Sequence, residues 1–419
     1  MDYAIYTFGC KVNQVETRAM EAELSRRGHR RVPFTDRADA YIVNTCTVTA
    51  VGDKKCRILI RQTRKRAPEA LLAVCGCYGQ MEPETIVALG ADLVSGTGDR
   101  PGFLDQLEAK AGERSGIQEL PCPSDAPAPC PPGRTRAMLK VEDGCCNFCS
   151  YCIIPYARGP VRSMALAEAV SEVKRLAAEG YRELVVTGIE ISSWRDGEKQ
   201  LTDLVEAICA AAPKLRIRLG SLEPRSITEA FCMRLQGYHN LCPHFHLSLQ
   251  SGSDTVLGRM NRKYDTARYY ESVKLLRAYF ETPAITTDLI VGFPGETQGE
   301  LEESLAFLQT CGFAAVHVFP YSRRPGTPAD KLAGQLGNAE KEARAVRARA
   351  LAAELTRTYL QTWVGQSLPV LFEDFHKGTW RGHTTNYMEV HAAGEGLHNT
   401  EHLVKITAVE GETLLGILA

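Results

Sequence analysis

The 419-residue chain reads as an α/β protein in three parts: an N-terminal open parallel sheet, a central partial (β/α)6 barrel and a small C-terminal antiparallel β-barrel. Three observations predict this. Short apolar runs alternate with helical patterns over residues 1–112. The alternation resumes at 137, with six strand candidates in about 190 residues. After 364 only short alternating segments remain, separated by turn residues.

In the first part DYAIYTFGC, AYIVNTC and LLAVCGC are strands, with VETRAMEAELSRRG, a basic helix and a further helix between and after them. Strands interleaved with helices give an open, mostly parallel sheet. Residues 113–136, GERSGIQELPCPSDAPAPCPPGRT, carry six prolines within twelve residues and form a linker. Cys122 and Cys130 inside it are read as incidental exposed thiols. The six central strands are AMLKVE, RELVVTG, RIRLGS, HFHLSLQ, AITTDLIVGF and AAVHVFPY, separated by helices such as ALAEAVSEVKRLAAEG and TARYYESVKLLRAYF. They amount to three quarters of a (β/α)8 barrel, whose chemistry sits at the carboxyl ends of the strands. Asp143, Gly144, Gly188, Glu190, Ser221, Glu223, Gln250, Ser251, Gly292 and Glu296 collect at those ends. A long helix starts near 339, and SLPVLFE, TWRGHT, YMEVHA, HLVKITAVE and TLLGILA supply the five strands of the last barrel.

Hydrophobic residues make up 44% of the chain, charged residues 24%, and the net charge is -1, so nothing attracts polyanions globally. Any nucleic-acid contact must come from a local patch. No window of eighteen apolar residues exists, and the expectation is a cytoplasmic monomer without a membrane contact. Fifteen cysteines is an odd number and high for a reducing compartment, where thiols serve as metal ligands or catalysts more often than as disulfides.

Cys145, Cys149 and Cys152 form C-x3-C-x2-C in the loop leaving the first barrel strand. Structural zinc takes four ligands, and no second pair follows, so three thiolates make an incomplete shell. A 4Fe-4S cluster on three cysteines keeps one iron open, which turns the shortfall into a function. The adjacent Cys146 projects elsewhere. Cys10, Cys46 and Cys77 each end one of the first three strands, where a parallel sheet gathers its ligands in a crevice. They make a second three-thiolate site. Cys75 competes with Cys77 from the same side of its strand; Cys77, nearer the loop and preceded by Gly76, is preferred. Cys56, Cys209, Cys232, Cys242 and Cys311 have no partner pattern and are packing residues.

Seven of the thirteen positions from Lys54 to Arg66 are basic. On a helix Lys54, Arg57, Arg61 and Lys65 share a face, either solvated or set against RNA phosphates. From 364 onward three Lys and Arg stand against seven Asp and Glu, which does not suit a phosphate-gripping module. His376, His383, His391, His398 and His402 are read as surface histidines.

C-x3-C-x2-C after a strand, with Tyr151 just before the last cysteine, resembles the radical S-adenosylmethionine (SAM) enzymes. The resemblance implies that the open iron chelates SAM and that one electron from the cluster cleaves it to methionine and a 5'-deoxyadenosyl radical. It places Gly188 and Glu190, in TGIE, at the SAM amino group. Ser221, Glu223, Gln250 and Gly292 match the later SAM-facing strand ends, and Tyr151 lies near the adenine. TFGCKVNQVE, IVNTCTVT, AVCGCYGQ, DGCCNFCSYCIIPYARGPVRS, LGSLEP, HLSLQSGSDTVLGRMNRKY and DLIVGFPGET extend the resemblance to the methylthiotransferases, radical SAM enzymes with a second 4Fe-4S cluster in an N-terminal domain. CKVNQ with the RQTRKRAP helix is most similar to the branch acting on N6-threonylcarbamoyladenosine at position 37 of tRNA. Cys146 departs from the usual asparagine and Cys75 from a common threonine.

The implied reaction inserts a methylthio group at C2 of that adenosine, with two 4Fe-4S clusters, SAM, tRNA and an electron donor such as a flavodoxin or ferredoxin. The implied division is an N-terminal methylthiotransferase domain over 1–112, the linker 113–136, a radical SAM barrel with its trailing helix over 137–363, and a barrel resembling a TRAM domain over 364–419. Alternatives are methylthiotransferases acting on isopentenyl-adenosine-37 or on an aspartate of a ribosomal protein. A non-enzyme alternative is a zinc-stabilised RNA-binding protein.

Overall fold

The computed structural model describes residues 1–115 and 135–419; most of the proline-rich linker, with Cys122 and Cys130, lies outside the described residues. The chain forms two compact units. The first gathers Met1–Cys130, of which 116–130 are not described, with Asp143–Pro160 and Ser322–Asp330; the second holds the remainder. The loop carrying Cys145, Cys149 and Cys152 therefore belongs with the N-terminal residues.

In the first unit β1 (Asp2–Thr7), β2 (Arg30–Arg31), β3 (Ala40–Thr45), β4 (Leu71–Gly76) and β5 (Leu93–Val94) make one parallel sheet in the order β2-β1-β3-β4-β5. Helices α1 (Lys11–Arg26) and α5 (Arg100–Ser115) cover one face, where Ile5, Ile42, Leu71 and Ala73 pack with Met20, Leu24, Phe103 and Leu107. On the other face Tyr41, Val43, Leu72 and Val74 pack with Cys56 and Ile60 of α2 (Ala50–Arg66). The central strands β3 and β4 are buried along their whole length, because both faces are covered. Short helices α3 (Cys77–Met81), α4 (Pro83–Ala88) and α6 (Ile154–Arg158) complete the unit.

The expected strands stop short of their cysteines. Cys10 is the N-cap residue of α1, Cys46 follows the end of β3, and Cys77 opens α3. Nor do Cys75 and Cys77 share a side. Gly76 takes φ +96, a left-handed turn that ends the two-residue alternation. Cys75 thus drops into the core under α1 and α5, where burial pushes its thiol up to about 11.

In the second unit six parallel strands follow chain order: β6 (Arg136–Lys140), β7 (Glu183–Thr187), β8 (Arg216–Leu219), β9 (His244–Leu247), β10 (Ala284–Val291) and β11 (Ala315–Pro320). Ile217 bridges to Leu241, and Ser221 and Leu222, just past β8, pair with His246 and Leu247 of β9, which joins the two runs of hydrogen bonds. Ala137, Leu139, Leu184, Val186, Ile217, Leu219, Phe245, Leu247 and Leu289 share one core with the surrounding helices. Alternation leaves Arg136, Glu183, Arg216, Arg218, His244, His246, Asp288 and His317 on the opposite face. A long helix, Asn338–Gln361, sets Ala345, Ala348 and Ala352 into that core.

Strands β12 (Ser367–His376), β13 (Thr379–Thr384), β14 (Glu389–Ala392), β15 (Glu401–Glu410) and β16 (Thr413–Leu418) close a ring in the order β12-β13-β14-β16-β15. The expected antiparallel barrel is present, with four antiparallel seams and one, between β14 and β16, that pairs in parallel. Five strands alternating in direction cannot close without one such pair. The ring docks at the amino ends of the larger sheet. Arg218 donates to the Thr384 and Thr385 carbonyls, Arg216 to those of Pro369 and His383, and Arg136 to Glu373 at 2.8 Å. The Tyr387 ring lies 4.5 Å from the Arg218 guanidinium and 5.1 Å from that of Arg136. Among the described residues no helix is long and apolar enough to cross a membrane.

Candidate functional site

The carboxyl edge of the first unit's sheet carries Cys10, Cys46 and Cys77 on three neighbouring connections. Asn13, fully buried, holds two of these connections together: its Nδ2 donates to the Phe8 carbonyl at 2.8 Å and to the Thr45 carbonyl at 2.9 Å. The Cys10 thiol stands 4.0 Å from Asn13 Oδ1, and a Cβ added at Gly9 would lie 2.8 Å from Cys46 Sγ. Burial pushes the Cys77 thiol up to about 12; Arg158 opposes this, while Cys46 and Cys10 add to it. Burial also raises Cys46, again with Cys10 adding and Arg158 opposing. The three thiols stand on neighbouring connections at one edge of the sheet, and the Arg158 cation acts on those of Cys46 and Cys77. Three soft thiol donors suit an iron-sulfur cluster, and binding it would release the protons that burial retains at Cys46 and Cys77.

The trio of Cys145, Cys149 and Cys152 lies on a loop braced through its backbone. Cys145 N–H donates to the Gly159 carbonyl at 3.0 Å, Cys152 N–H to the Cys149 carbonyl at 2.9 Å, and Ala329 N–H to the Ser150 carbonyl at 2.8 Å. Asn147 N–H points at Cys145 Sγ, 3.5 Å away. Cys149 is buried, Cys145 and Cys152 are half-buried, and Cys146 is exposed. Tyr151 sits half-buried before Cys152. Among the described residues no three His, Cys, Asp or Glu side chains stand in position to hold a single metal ion.

Gly144 anchors the loop at φ +91, and a Cβ there would lie 2.1 Å from the Pro160 carbonyl oxygen. Gly144→Ala should therefore cost about 3 kcal/mol or more, strain plus a backbone clash. Gly180→Ala, at φ +89 with nothing within 4 Å, should cost only about 1–2 kcal/mol. Thermal melting of the two variants checks the ranking, and only Gly144→Ala should also lose iron on anaerobic reconstitution.

In the second unit the remaining candidates lie just past strand ends: Gly188 and Glu190 after β7, Ser221 and Glu223 after β8, Gln250 after β9 and Gly292 after β10. Glu190 accepts from Ser192 N–H at 3.0 Å and Ser193 Oγ at 2.9 Å, and its own N–H donates to Glu142 at 2.7 Å. Glu223 accepts from Arg225 N–H and Nε at 3.0 and 2.8 Å. Both carboxylates thus cap short turns. Gln250 holds φ +71, unusual for a side-chain-bearing residue, between backbone bonds to Asp288 and Ile290. Gly292 N–H donates to the buried Glu296, which Arg344 also binds at 2.8 Å.

On α2 Lys54, Arg61 and Lys65 are exposed, while Arg57 is half-buried and donates to the Tyr78 hydroxyl at 3.0 Å. Arg64 is committed to the Gly90, Pro68 and Ala70 carbonyls and to Asp92. Arg66 lies over the Phe34 and Tyr41 rings.

Sequence reasoning missed the buried charges around the trios. Arg158 binds Glu16, Asp143 and Asn13; Arg324 binds Asp53 Oδ2 and Thr47 Oγ1, each at 2.6 Å. Asn13 and Arg158 lie inside the quoted motifs CKVNQ and IIPYARG, where a polar residue at fixed offset from a ligand was the available signal. Arg324 is 271 residues from Asp53, beyond any local pattern.

The Radical SAM superfamily model matches residues 139–308, and the Uncharacterized protein family UPF0004 model matches 2–96. The threonylcarbamoyladenosine tRNA methylthiotransferase MtaB of Bacillus subtilis is 37% identical over 402 residues, 92% of this chain and 89% of that protein. The tRNA-2-methylthio-N(6)-dimethylallyladenosine synthase of Chlorobaculum tepidum is 32% identical over 99% of this chain and 97% of its own length. Among solved structures, the radical SAM methyltransferase TsrM from Kitasatospora setae, with cobalamin and a 4Fe-4S cluster bound, shares the fold at a TM-score of 0.57, with 15% identity over 78% of this chain and 76% of that one. A cysteine loop after the first barrel strand, a thiol crevice in the N-terminal sheet and full-length relatives of this kind agree: the chain belongs to the radical SAM methylthiotransferase family.

Proposed function

We propose that the protein inserts a methylthio group at C2 of N6-threonylcarbamoyladenosine-37 of tRNA. The observation that carries this reading is the presence of two separate cysteine trios within one compact unit. The branch assignment rests on CKVNQ, the RQTRKRAP helix and the name of the Bacillus subtilis relative, 37% identical against 32% for the dimethylallyladenosine synthase. When bound, the two 4Fe-4S clusters and SAM supply the radical and the sulfur that an unactivated aromatic C–H bond requires.

Cys145, Cys149 and Cys152 hold the first cluster and leave one iron for SAM. Gly188 and Glu190 receive the SAM amino group, Tyr151 lies near its adenine, and Ser221, Glu223, Gln250 and Gly292 line the rest. Cys10, Cys46 and Cys77 hold the second cluster; Cys75, committed to the core, is not a ligand. Lys54, Arg57, Arg61 and Lys65 face the RNA phosphates, supported by the exposure of the first, third and fourth. The functional division follows 1–112, 113–136, 137–363 and 364–419, with the acidic last barrel docked at the amino ends of the second unit's strands. The enzyme acts as a cytoplasmic monomer reduced by a flavodoxin or ferredoxin.

A nucleoside mass spectrum of bulk tRNA from a deletion strain tests this directly. Loss of the 2-methylthio mark on threonylcarbamoyladenosine is expected. Loss on isopentenyl-adenosine instead would identify the sister tRNA branch, and no tRNA change would favour the ribosomal-protein aspartate. Anaerobic analysis should give about eight iron and eight sulfide per chain, four for each cluster. One zinc and no visible absorbance would return the non-catalytic reading.

A further inference from the structure

Arg158 closes α6, six residues beyond Cys152, with its side chain fully buried. Its Nη1 donates to Glu16 Oε1 at 2.8 Å and to Asp143 Oδ1 at 2.9 Å; its Nη2 donates to Asn13 Oδ1 at 2.6 Å. Each partner belongs to a cysteine loop or its support. Asp143 precedes Gly144 at the root of the Cys145 loop. Asn13 ties the Cys10 connection to that of Cys46 and stands within reach of the Cys10 thiol. Glu16, one turn further along α1, is also held by Arg100 at 3.0 Å. One guanidinium therefore joins the two trios, and the fork geometry of arginine fixes its place.

A cluster on these three thiolates adds negative charge where Cys46 and Cys77 are buried and Cys10 is exposed, and the fully buried Arg158 guanidinium acts from the side that little water screens. We propose that Arg158 is a positioning residue that sets the reduction potential of the cluster on Cys10, Cys46 and Cys77 and locks that crevice to the loop of Cys145, Cys149 and Cys152. The inference rests on the second trio binding a cluster. A positive charge beside the cluster favours its reduced, more anionic form. Glu16 partly offsets that charge, so the two residues act with opposite sign.

The test uses full-length protein with Cys145, Cys149 and Cys152 all changed to alanine, reconstituted anaerobically so that only the second trio can load. Its midpoint potential is titrated by electron paramagnetic resonance in that background and with Arg158→Gln, Arg158→Lys or Glu16→Gln added. Arg158→Gln should move the potential to more negative values, Glu16→Gln to more positive ones, and Arg158→Lys should stay near the parent. Potentials that do not move, or that move in the same direction for Arg158→Gln and Glu16→Gln, overturn the inference. Should Arg158→Gln retain no iron, the sign of the Glu16→Gln shift decides. If the parent itself holds no cluster, the assignment of Cys10, Cys46 and Cys77 falls, a result distinct from a loaded cluster whose potential ignores its neighbours.

Discussion

Replacing Cys145, Cys149 or Cys152 by alanine should abolish SAM cleavage, whereas replacing Cys10, Cys46 or Cys77 should leave cleavage measurable and stop sulfur insertion. Release of 5'-deoxyadenosine under dithionite, beside methylthio incorporation into tRNA, separates the two. The loss of cleavage in the first set should reach about 100-fold or more, since altering even a residue that merely supports a ligand costs about 10–100-fold. These variants should still fold. The loop is held by the backbone bonds of Cys145, Cys152 and Ser150 and by the seat of Gly144 against Pro160, none of which uses a thiol. The second set removes sulfurs from a crevice organised by Asn13, whose bonds to the Phe8 and Thr45 carbonyls survive the change. Melting curves close to the parent's would establish that the lost chemistry is not lost structure. Second-set variants that fold normally and still cleave no SAM would end the proposed division of labour.

What the sequence made legible follows from how far each signal reaches. Strands such as RELVVTG and HLVKITAVE alternate over enough residues to declare themselves, and all six central and five C-terminal strands are where the alternation put them. Cysteines near strand ends were visible for the same reason. Where those strands stop was not, because it is decided at single residues: Gly76 at φ +96 turns Cys77 into a helix and leaves Cys75 in the core. Pairing between distant residues was the other blind spot. Ser322–Asp330 joins the first unit through Arg324 with Asp53 and Ala329 with Ser150, although it follows β11 of the second. The parallel seam of the last barrel depends on which strands become neighbours, which no single segment encodes.

Glu183→Gln should destabilise the second unit by about 3–5 kcal/mol, the range expected when one partner of a buried ion network is removed. Glu183 opens β7 with no exposed surface and receives Arg136 Nε at 2.6 Å and Arg218 Nε and Nη2 at 2.8 and 2.9 Å. Those two arginines also carry the C-terminal barrel, through Glu373 and through the Thr384 and Thr385 carbonyls. An amide in place of the carboxylate would leave the buried Arg218 and the half-buried Arg136 beside Tyr387 without their shared counter-charge, with Glu373 still offsetting Arg136. The pH dependence has a definite sign. Burial pushes the Glu183 carboxyl up, but Arg218 and Arg136 outweigh it and hold it well below the ordinary 4.5. Its contribution is complete above that ordinary value and is lost as pH falls, because the unfolded chain takes up a proton that the folded chain refuses. Urea unfolding of parent and variant should therefore show a large gap at pH 7 that narrows steadily below about pH 5. A gap that widens in acid, or a variant as stable as the parent at neutral pH, would mean that the two arginines find their counter-charge elsewhere and that the barrel's hold on the larger sheet does not pass through Glu183.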